Sequence, residues 1–375
     1  MSPKTSNFSE FEHTLMKRLL NEAKRFEGLT HPNPMVAAAV YKDEQLISIG
    51  VHEKKGGPHA EVFALRKAGD AAKGACLMVT LEPCTHQGAT GPCAEAIVES
   101  GISDVVYAIR DEFSSVKGKP AQAILEAAGI SVRIGLLEKE AYQLNEAYFY
   151  CHKHKRPFVI LKAAMSLDGC IAMSSGESKY LSCKASLKRV HDIRSQVTAI
   201  LIGRETLIQD DAQCTVRHVP LKDGQAQPAC MVLGRSDHVP QSLRVFQTSA
   251  RHIYVTSKQN TAPISGFDDT WSVLNDSDQI DWPSLFKACV DNHYYSLLIE
   301  GGAGLYSSAL SAGIVNKAYF FITPKLMGYN QGLGLCALPK MQSLNDMLRC
   351  EFSAVEKSGD DLLISAAFPD ILAEK

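Results

Sequence analysis

The 375-residue chain has no surplus of charge of either sign: 39 Lys and Arg stand against 41 Asp and Glu, a formal net charge of −2. That argues against the whole-chain basic field expected of a binder of nucleic acid or anionic membrane. No apolar run approaches the ~20 residues needed to span a bilayer, and there is no internal repeat or low-complexity tract. The stretch from Met1 to Phe26 lacks the continuous apolar centre of a signal peptide. Its acids Glu10, Glu12 and Glu22, with Glu27 just beyond, argue against a transit peptide. The eleven cysteines are odd in number and scattered, not the framework of a small disulfide-rich domain. The expectation is a reduced, cytoplasmic protein with neither a membrane nor a nucleic-acid partner, in which clustered cysteines bind metal.

The length exceeds the roughly 100–200 residues of one ordinary domain, so two domains are expected. Ser9 and Glu12 form the S-x-x-E pattern of a helix start ahead of Leu15, Leu19 and Ala23 at helical spacing. Strand-like runs follow at 35–41, 46–52, 75–82 and 104–110, with helix-like stretches at 59–68, 93–100 and 121–128 and a closing helix near 138–149. Alternation of this kind predicts a layered α/β unit over 1–150. The basic, proline-ended segment 151–157 reads as a linker. A second, different α/β series over 158–375 begins with runs at 158–164, 185–195 and 199–203.

One constellation carries chemistry: His59-Ala60-Glu61, then Pro83-Cys84, then Cys93. Imidazole and thiolate are ligands zinc prefers, and three of them leave a fourth position where a water's pKa falls towards neutrality. Glu61, two residues from the histidine, is placed to shuttle a proton between water and a departing nitrogen. This is the H-x-E…P-C…C pattern of zinc nucleobase deaminases. A structural site with His86 as fourth ligand is the competing reading. Eight residues separate Cys84 from Cys93, unlike the C-x-x-C of the nucleic-acid and cytidine type.

The surrounding text is His31-Pro-Asn-Pro34, Gly50-Val-His52, Gly57-Pro-His-Ala-Glu61 and Leu81-Glu-Pro-Cys-Thr-His86. It closely resembles the deaminase of the bifunctional riboflavin-biosynthesis deaminase/reductase family. The likeness continues through Lys162-Ala-Ala-Met-Ser-Leu-Asp-Gly169, Ser175-Gly-Glu-Ser178, Ile202-Gly-Arg-Glu-Thr206, Asp210-Asp211, Thr215-Val-Arg217 and Glu300-Gly-Gly302. The resemblance implies a cytidine-deaminase-like three-layer domain followed by a dihydrofolate-reductase-like domain. It implies zinc-dependent removal of a ring amine from a ribosylaminopyrimidine 5′-phosphate, then NADPH-dependent reduction of the ribosyl group to a ribityl chain.

By the same resemblance, Asn33, His52 and His86 contact the pyrimidine substrate. Ser178, Arg194, Cys214, Arg217 and Glu300 surround the substrate of the second reaction, with the two arginines on its phosphate. Ala164, Tyr180 and Thr206 line the reduced nicotinamide cofactor, Asp210 lies between cofactor and ribose, and Asp211 is an alternative to it. Gly301, Gly302, Ala303 and Gly304 follow a strand-like run and suit the approach of backbone amides to a pyrophosphate, although they form no G-x-G-x-x-G fingerprint. Arg204 is the expected contact for an adenosine 2′-phosphate.

The chain departs from the family at Ala89, where a cation is usual, at Phe113, where asparagine is usual, and at Cys170, Tyr180 and Ala212. Lys54 or Lys55 would have to replace the cation missing at Ala89. These departures leave open a chain with one active and one decayed half. A homo-oligomer (dimer or tetramer) is also implied, with the apolar strand 319–322 as the expected pairing edge.

Overall fold

The computed structural model describes residues 8–86, 91–113, 119–178, 181–235, 238–256, 263–273, 280–328, 330–338 and 342–368. The chain forms two compact units, Met1–Lys153 and His154–Lys375.

The first unit runs α1(Glu10–Lys24), β1(Ala37–Lys42), β2(Gln45–Val51), α2(Ala60–Ala68), β3(Cys76–Val79), α3(Cys93–Glu99), β4(Asp104–Tyr107), α4(Ala121–Ala127), β5(Ser131–Ile134), α5(Glu138–Leu144) and α6(Glu146–His154). The capping box forms as expected: the Ser9 hydroxyl accepts from the Glu12 amide (3.2 Å) and Glu12 accepts from the Ser9 amide (2.9 Å). The same buried carboxylate also accepts from Tyr41 on β1 (2.6 Å) and from Arg133 on β5, so the helix start is tied to the sheet. The sheet order is β2-β1-β3-β4-β5, with β3, β4 and β5 parallel and β1 antiparallel to both its neighbours. Strand alternation sends Ala37, Ala39 and Tyr41 into a core shared with α1 and α5, and Ala38 and Val40 into one shared with α2, α3 and α4. The result is three layers. The single helix expected over 138–149 is instead two, broken at Asn145. The second carries the buried Phe149, Tyr150 and Cys151 and continues to His154, so the first residues of the expected linker are helical.

The second unit runs β6(Phe158–Ser166), β7(Cys170–Met173), α7(Lys184–Ser195), β8(Ala199–Gly203), α8(Arg204–Asp210), β9(Ala229–Gly234), β10(His252–Thr256), β11(Asp269–Ser272), α9(Trp282–Asp291), β12(Ser296–Ile299), α10(Ala303–Ser311), β13(Lys317–Thr323), β14(Gly332–Gly334), β15(Glu351–Ser358) and β16(Asp361–Ala367). Nine strands form one sheet in the order β11-β10-β9-β8-β12-β6-β13-β16-β15, with a core on each face; β7 and β14 pair separately. The strands from β11 to β13 are parallel and the last two antiparallel. One expectation is overturned here. β13, which holds residues 319–322, has β6 on one side and β16 on the other, so both of its hydrogen-bonding edges are filled. The outermost strands of this sheet are β11 and β15, and β15 exposes Phe352 and Val355.

Candidate active sites

In the first unit, β2 and α2 bring the expected zinc ligands into place. His59 is the residue before the first turn of α2, Cys93 opens α3, and Cys84 lies on the loop after β3. Gly50 makes this approach possible: a Cβ there would sit 2.2 Å from the Ala60 carbonyl and 2.4 Å from the Ala64 nitrogen. One donor atom from each of His59, Cys84 and Cys93 lies within 4.8 Å of the others. His59 Nδ1 is 3.2 Å from Cys93 Sγ and 3.4 Å from Cys84 Sγ, and the Cys93 amide donates to Cys84 Sγ at 3.3 Å. The Cys93 thiol, helped by the His59 ring, donates to Cys84 and holds its pKa well below the usual thiol value. The same hydrogen bond and burial push Cys93 upward. A thiolate, a second thiol and an imidazole converging on one point fit a zinc ion. His86 is not among the residues of this cluster.

Glu61 is buried on the first turn of α2, where burial, followed by the Cys84 anion, raises its pKa to about 7. Such a carboxyl can both take and give a proton near neutrality. Asn33 and His52 join the site. Asn33 Nδ2 lies 3.2 Å from His52 Nε2, His52 Nδ1 lies 3.0 Å from the Pro58 carbonyl, and the His52 ring meets His59 edge-on at 5.6 Å. With Nδ1 donating to Pro58 and burial holding its pKa below the usual value, His52 is neutral and accepts from Asn33. The Nδ1 atom of His86 is buried with no hydrogen-bond partner among the described residues. Ala89 lies outside the described residues. Phe113 stacks on His152 with centroids 5.5 Å apart, and its amide donates to Asp111.

In the second unit, the chain leaves β8 through α8 towards β9 and leaves β12 through α10 towards β13, on the other side of β6. Adjacent strands whose connections diverge open a crevice at their C-terminal ends, the place where α/β sheets bind ligands. Thr206, Gly301, Gly302, Ala303 and Gly304 stand at that crevice. The Gly302 amide donates to Thr206 Oγ1 (3.1 Å) and the Gly301 amide to the Tyr306 hydroxyl (3.2 Å), which itself donates to the Lys162 carbonyl (2.7 Å). These two amides are thus already used. Gly302 at the N-cap of α10 offers no capping side chain, so the Ala303 and Gly304 amides of the first turn have no cap among the described residues. Ala164 is half-buried near the end of β6, and Tyr180 lies outside the described residues.

The aspartate pair separates. Asp211 accepts from the Arg244 amide (2.8 Å) and Nε (2.7 Å), whereas Asp210 accepts from Ser178 at 3.1 Å. Glu300, buried at the end of β12, receives Arg194 Nε (2.6 Å), Arg194 Nη2 (2.9 Å) and Lys162 Nζ (2.8 Å), while Arg194 Nη1 donates to the Thr215 carbonyl (3.0 Å). Burial alone would raise Glu300, but the two cations overcome it and hold the carboxyl well below the usual range. Arg194 therefore spends its fork inside the protein. Arg217 is exposed, with Nη1 on Thr215 Oγ1 (2.8 Å) and its amide on His191 Nδ1 (2.9 Å). Burial and then the Arg194 and Arg217 cations press His191 down to a pKa of about 3. The Cys214 thiol is buried in the core with Cys230. Arg204 donates to the His238 carbonyl and pairs with Glu205.

Lys162, Tyr306 and His191 were not assigned roles from the sequence. Lys162 had a signal, a lone cation amid the apolar run Phe158–Ser166; the other two look like ordinary helix residues.

Family models match both units: the RibD C-terminal domain over residues 157–364, and the cytidine and deoxycytidylate deaminase zinc-binding region over 9–109. The chain is 39% identical over 356 residues to riboflavin biosynthesis protein RibD of Aquifex aeolicus, covering 95% of this chain and 98% of that one. It is 33% identical over 367 residues to riboflavin biosynthesis protein RibD of Escherichia coli, covering 93% and 97%. Among solved structures, Acinetobacter baumannii RibD (form 1) matches with a TM-score of 0.87 at 32% identity, covering 96% of this chain and 99% of that one. A Thermotoga maritima diaminohydroxyphosphoribosylaminopyrimidine deaminase/5-amino-6-(5-phosphoribosylamino)uracil reductase matches with a TM-score of 0.84 at 32% identity and the same coverage.

Proposed function

The chain belongs to the bifunctional riboflavin-biosynthesis deaminase/reductase family, and from that premise we propose how its residues divide the two reactions. The enzyme deaminates 2,5-diamino-6-ribosylamino-4(3H)-pyrimidinone 5′-phosphate hydrolytically and then reduces the ribosyl chain to ribityl, giving 5-amino-6-(5-phosphoribitylamino)uracil; its cofactors are zinc and NADPH. We assign the first reaction to Met1–Lys153 and the second to His154–Lys375.

His59, Cys84 and Cys93 would hold zinc, which when bound activates water for attack on the amine-bearing ring carbon. Glu61 takes a proton from the attacking water and returns it to the nitrogen that leaves as ammonia. Asn33 and the neutral His52 orient the pyrimidine, and His86 offers its unpartnered nitrogen from the loop side. The convergence of the three ligand atoms beside a buried Glu61 carries this half of the reading.

In the second unit, NADPH when bound supplies a hydride for C1′ of the sugar. The Ala303 and Gly304 amides receive the pyrophosphate, while Gly301 and Gly302 keep the crevice open, Thr206 fixes the glycine turn and Ala164 lines the floor. We assign Asp210, held by Ser178, to pass a proton to the ring oxygen as its bond to C1′ opens. Arg217 binds the substrate phosphate at the exposed rim. Arg194 and Lys162 hold Glu300 ionised to accept sugar hydroxyls, and Cys214 contributes through its main chain. Arg204 is held by His238 and Glu205, so we do not assign it the 2′-phosphate of the cofactor.

Assembly as a homo-oligomer, dimer or tetramer, is supported by the outermost strand β15 with its exposed Phe352 and Val355. A cytoplasmic location is supported by eleven cysteines without a disulfide. Among the described residues no helix is long and apolar enough to cross a membrane. The test supplies the diaminopyrimidinone ribosyl phosphate with NADPH and follows ammonia and NADPH absorbance separately. Both signals are expected, with ammonia first; absence of ammonia would overturn the deaminase assignment.

A further inference from the structure

Asn145 lies between α5 and α6 with 6% of its surface exposed. An asparagine just before a helix ordinarily turns its side chain onto that helix's own first amides. This one does not. Its Oδ1 accepts from the Met35 amide at 2.8 Å and its Nδ2 donates to the Met35 carbonyl at 2.9 Å, across 110 positions of sequence. Two bonds to one residue fix both the place and the rotation of its backbone, as a strand partner would.

What they hold is the loop that delivers Asn33. The Asn33 amide donates to the Thr30 carbonyl at 2.9 Å, and its side chain donates to His52 Nε2 at 3.2 Å. His52 in turn donates through Nδ1 to the carbonyl of Pro58, the residue before His59, and its amide donates to the Val36 carbonyl at 2.9 Å. Residues 33 to 36 are therefore braced from two directions: by His52 on the site side and by Asn145 from behind.

We propose that Asn145 is a positioning residue for the deamination: it clamps the Met35 backbone and so sets where Asn33 meets the pyrimidine. The inference rests on the substrate role assigned above to Asn33. Displacing a substrate-orienting group by about 1 Å is enough to cost roughly 100-fold in rate.

The test measures ammonia release, NADPH oxidation on pre-deaminated substrate, and zinc content in the full chain. Asn145→Ala is expected to lower kcat/KM for ammonia release about 100-fold, with one zinc per chain retained and NADPH oxidation within about twofold of wild type. In an Asn33→Ala background the same substitution should cost under about threefold, because groups acting through one another are not additive. A full cost in that background, or near-wild-type deamination by Asn145→Ala alone, would overturn the clamp. Should Asn145→Ala fail to fold or to keep zinc, Asn145→Asp decides by the same cycle. It keeps the volume and the acceptor for the Met35 amide but sets a carboxylate oxygen against the Met35 carbonyl. Its cost must vanish in the Asn33→Ala background; persistence refutes the proposal. A wild-type enzyme that releases no ammonia would instead sink the functional reading on which the clamp depends.

Discussion

Glu300→Gln is the most informative single change in the second unit. The carboxylate is 5% exposed and sits 2.6–2.9 Å from three donors on two cations, Arg194 and Lys162. The wild-type trio carries a net charge of +1. The glutamine variant leaves two largely buried cations with no anion between them, and breaking a buried pair in this way costs about 3–5 kcal/mol. The chain's two tryptophans, Trp271 and Trp282, both pack in the second unit, so their fluorescence reports that unit alone. With an m-value of about 3 kcal/mol per M, the urea midpoint should fall by roughly 1–1.7 M. The pH dependence has a definite sign. Glu300's folded pKa is depressed, so its contribution is present above the unfolded carboxyl pKa and is lost as pH falls through the folded value. The difference between wild type and variant should stay flat from pH 8 to 5 and begin to narrow only below about pH 4. A midpoint shift under about 0.3 M, or a difference that widens on acidification, would refute the charge argument.

Two further changes probe the scaffolds. Gly50→Ala forces a methyl to within 2.2 Å of the Ala60 carbonyl, so α2 must move and take His59 and Glu61 with it. The expected result is a loss of about 1–3 kcal/mol in the first unit and less than one zinc per chain by metal analysis, with reduction of pre-deaminated substrate unchanged. Tyr306→Phe strips the Gly301 amide of its acceptor and the Lys162 carbonyl of its donor. At about 0.7 kcal/mol for each of the two lost hydrogen bonds, the KM for NADPH should rise roughly tenfold in a steady-state absorbance assay while ammonia release holds.

How far these features could be read in advance depended on how local their causes are. The convergence of His59, Cys84 and Cys93 was legible because zinc chemistry needs those residue types at characteristic spacings, and the helix start at Ser9 and Glu12 because a capping box is written in four residues. The break at Asn145 was not, since its side chain bonds to Met35 far off in the chain and nothing in its own helix marks it. The fate of Arg194 was equally hidden: a helix arginine can face solvent, phosphate or a buried acid, and only the arrival of β12 beside β8 and β6 brings Glu300 to it. The apolar stretch at 319–322 suggested an interface, but apolar composition alone cannot tell a central strand from an edge one. β15 was missed for the opposite reason, because a register shift between Phe352 and Ala354 disturbs its alternation and its side chains are almost all exposed.

The central claim is that one chain carries two separable activities, the first depending on a proton carried by Glu61 beside the His59, Cys84 and Cys93 cluster. Glu61→Gln tests it most directly, with zinc content, ammonia release and NADPH oxidation on pre-deaminated substrate measured on the same preparation. The account predicts one zinc per chain, ammonia release reduced at least about 100-fold, and NADPH oxidation at the wild-type rate. Ammonia release at the wild-type rate from a zinc-loaded Glu61→Gln enzyme would contradict it.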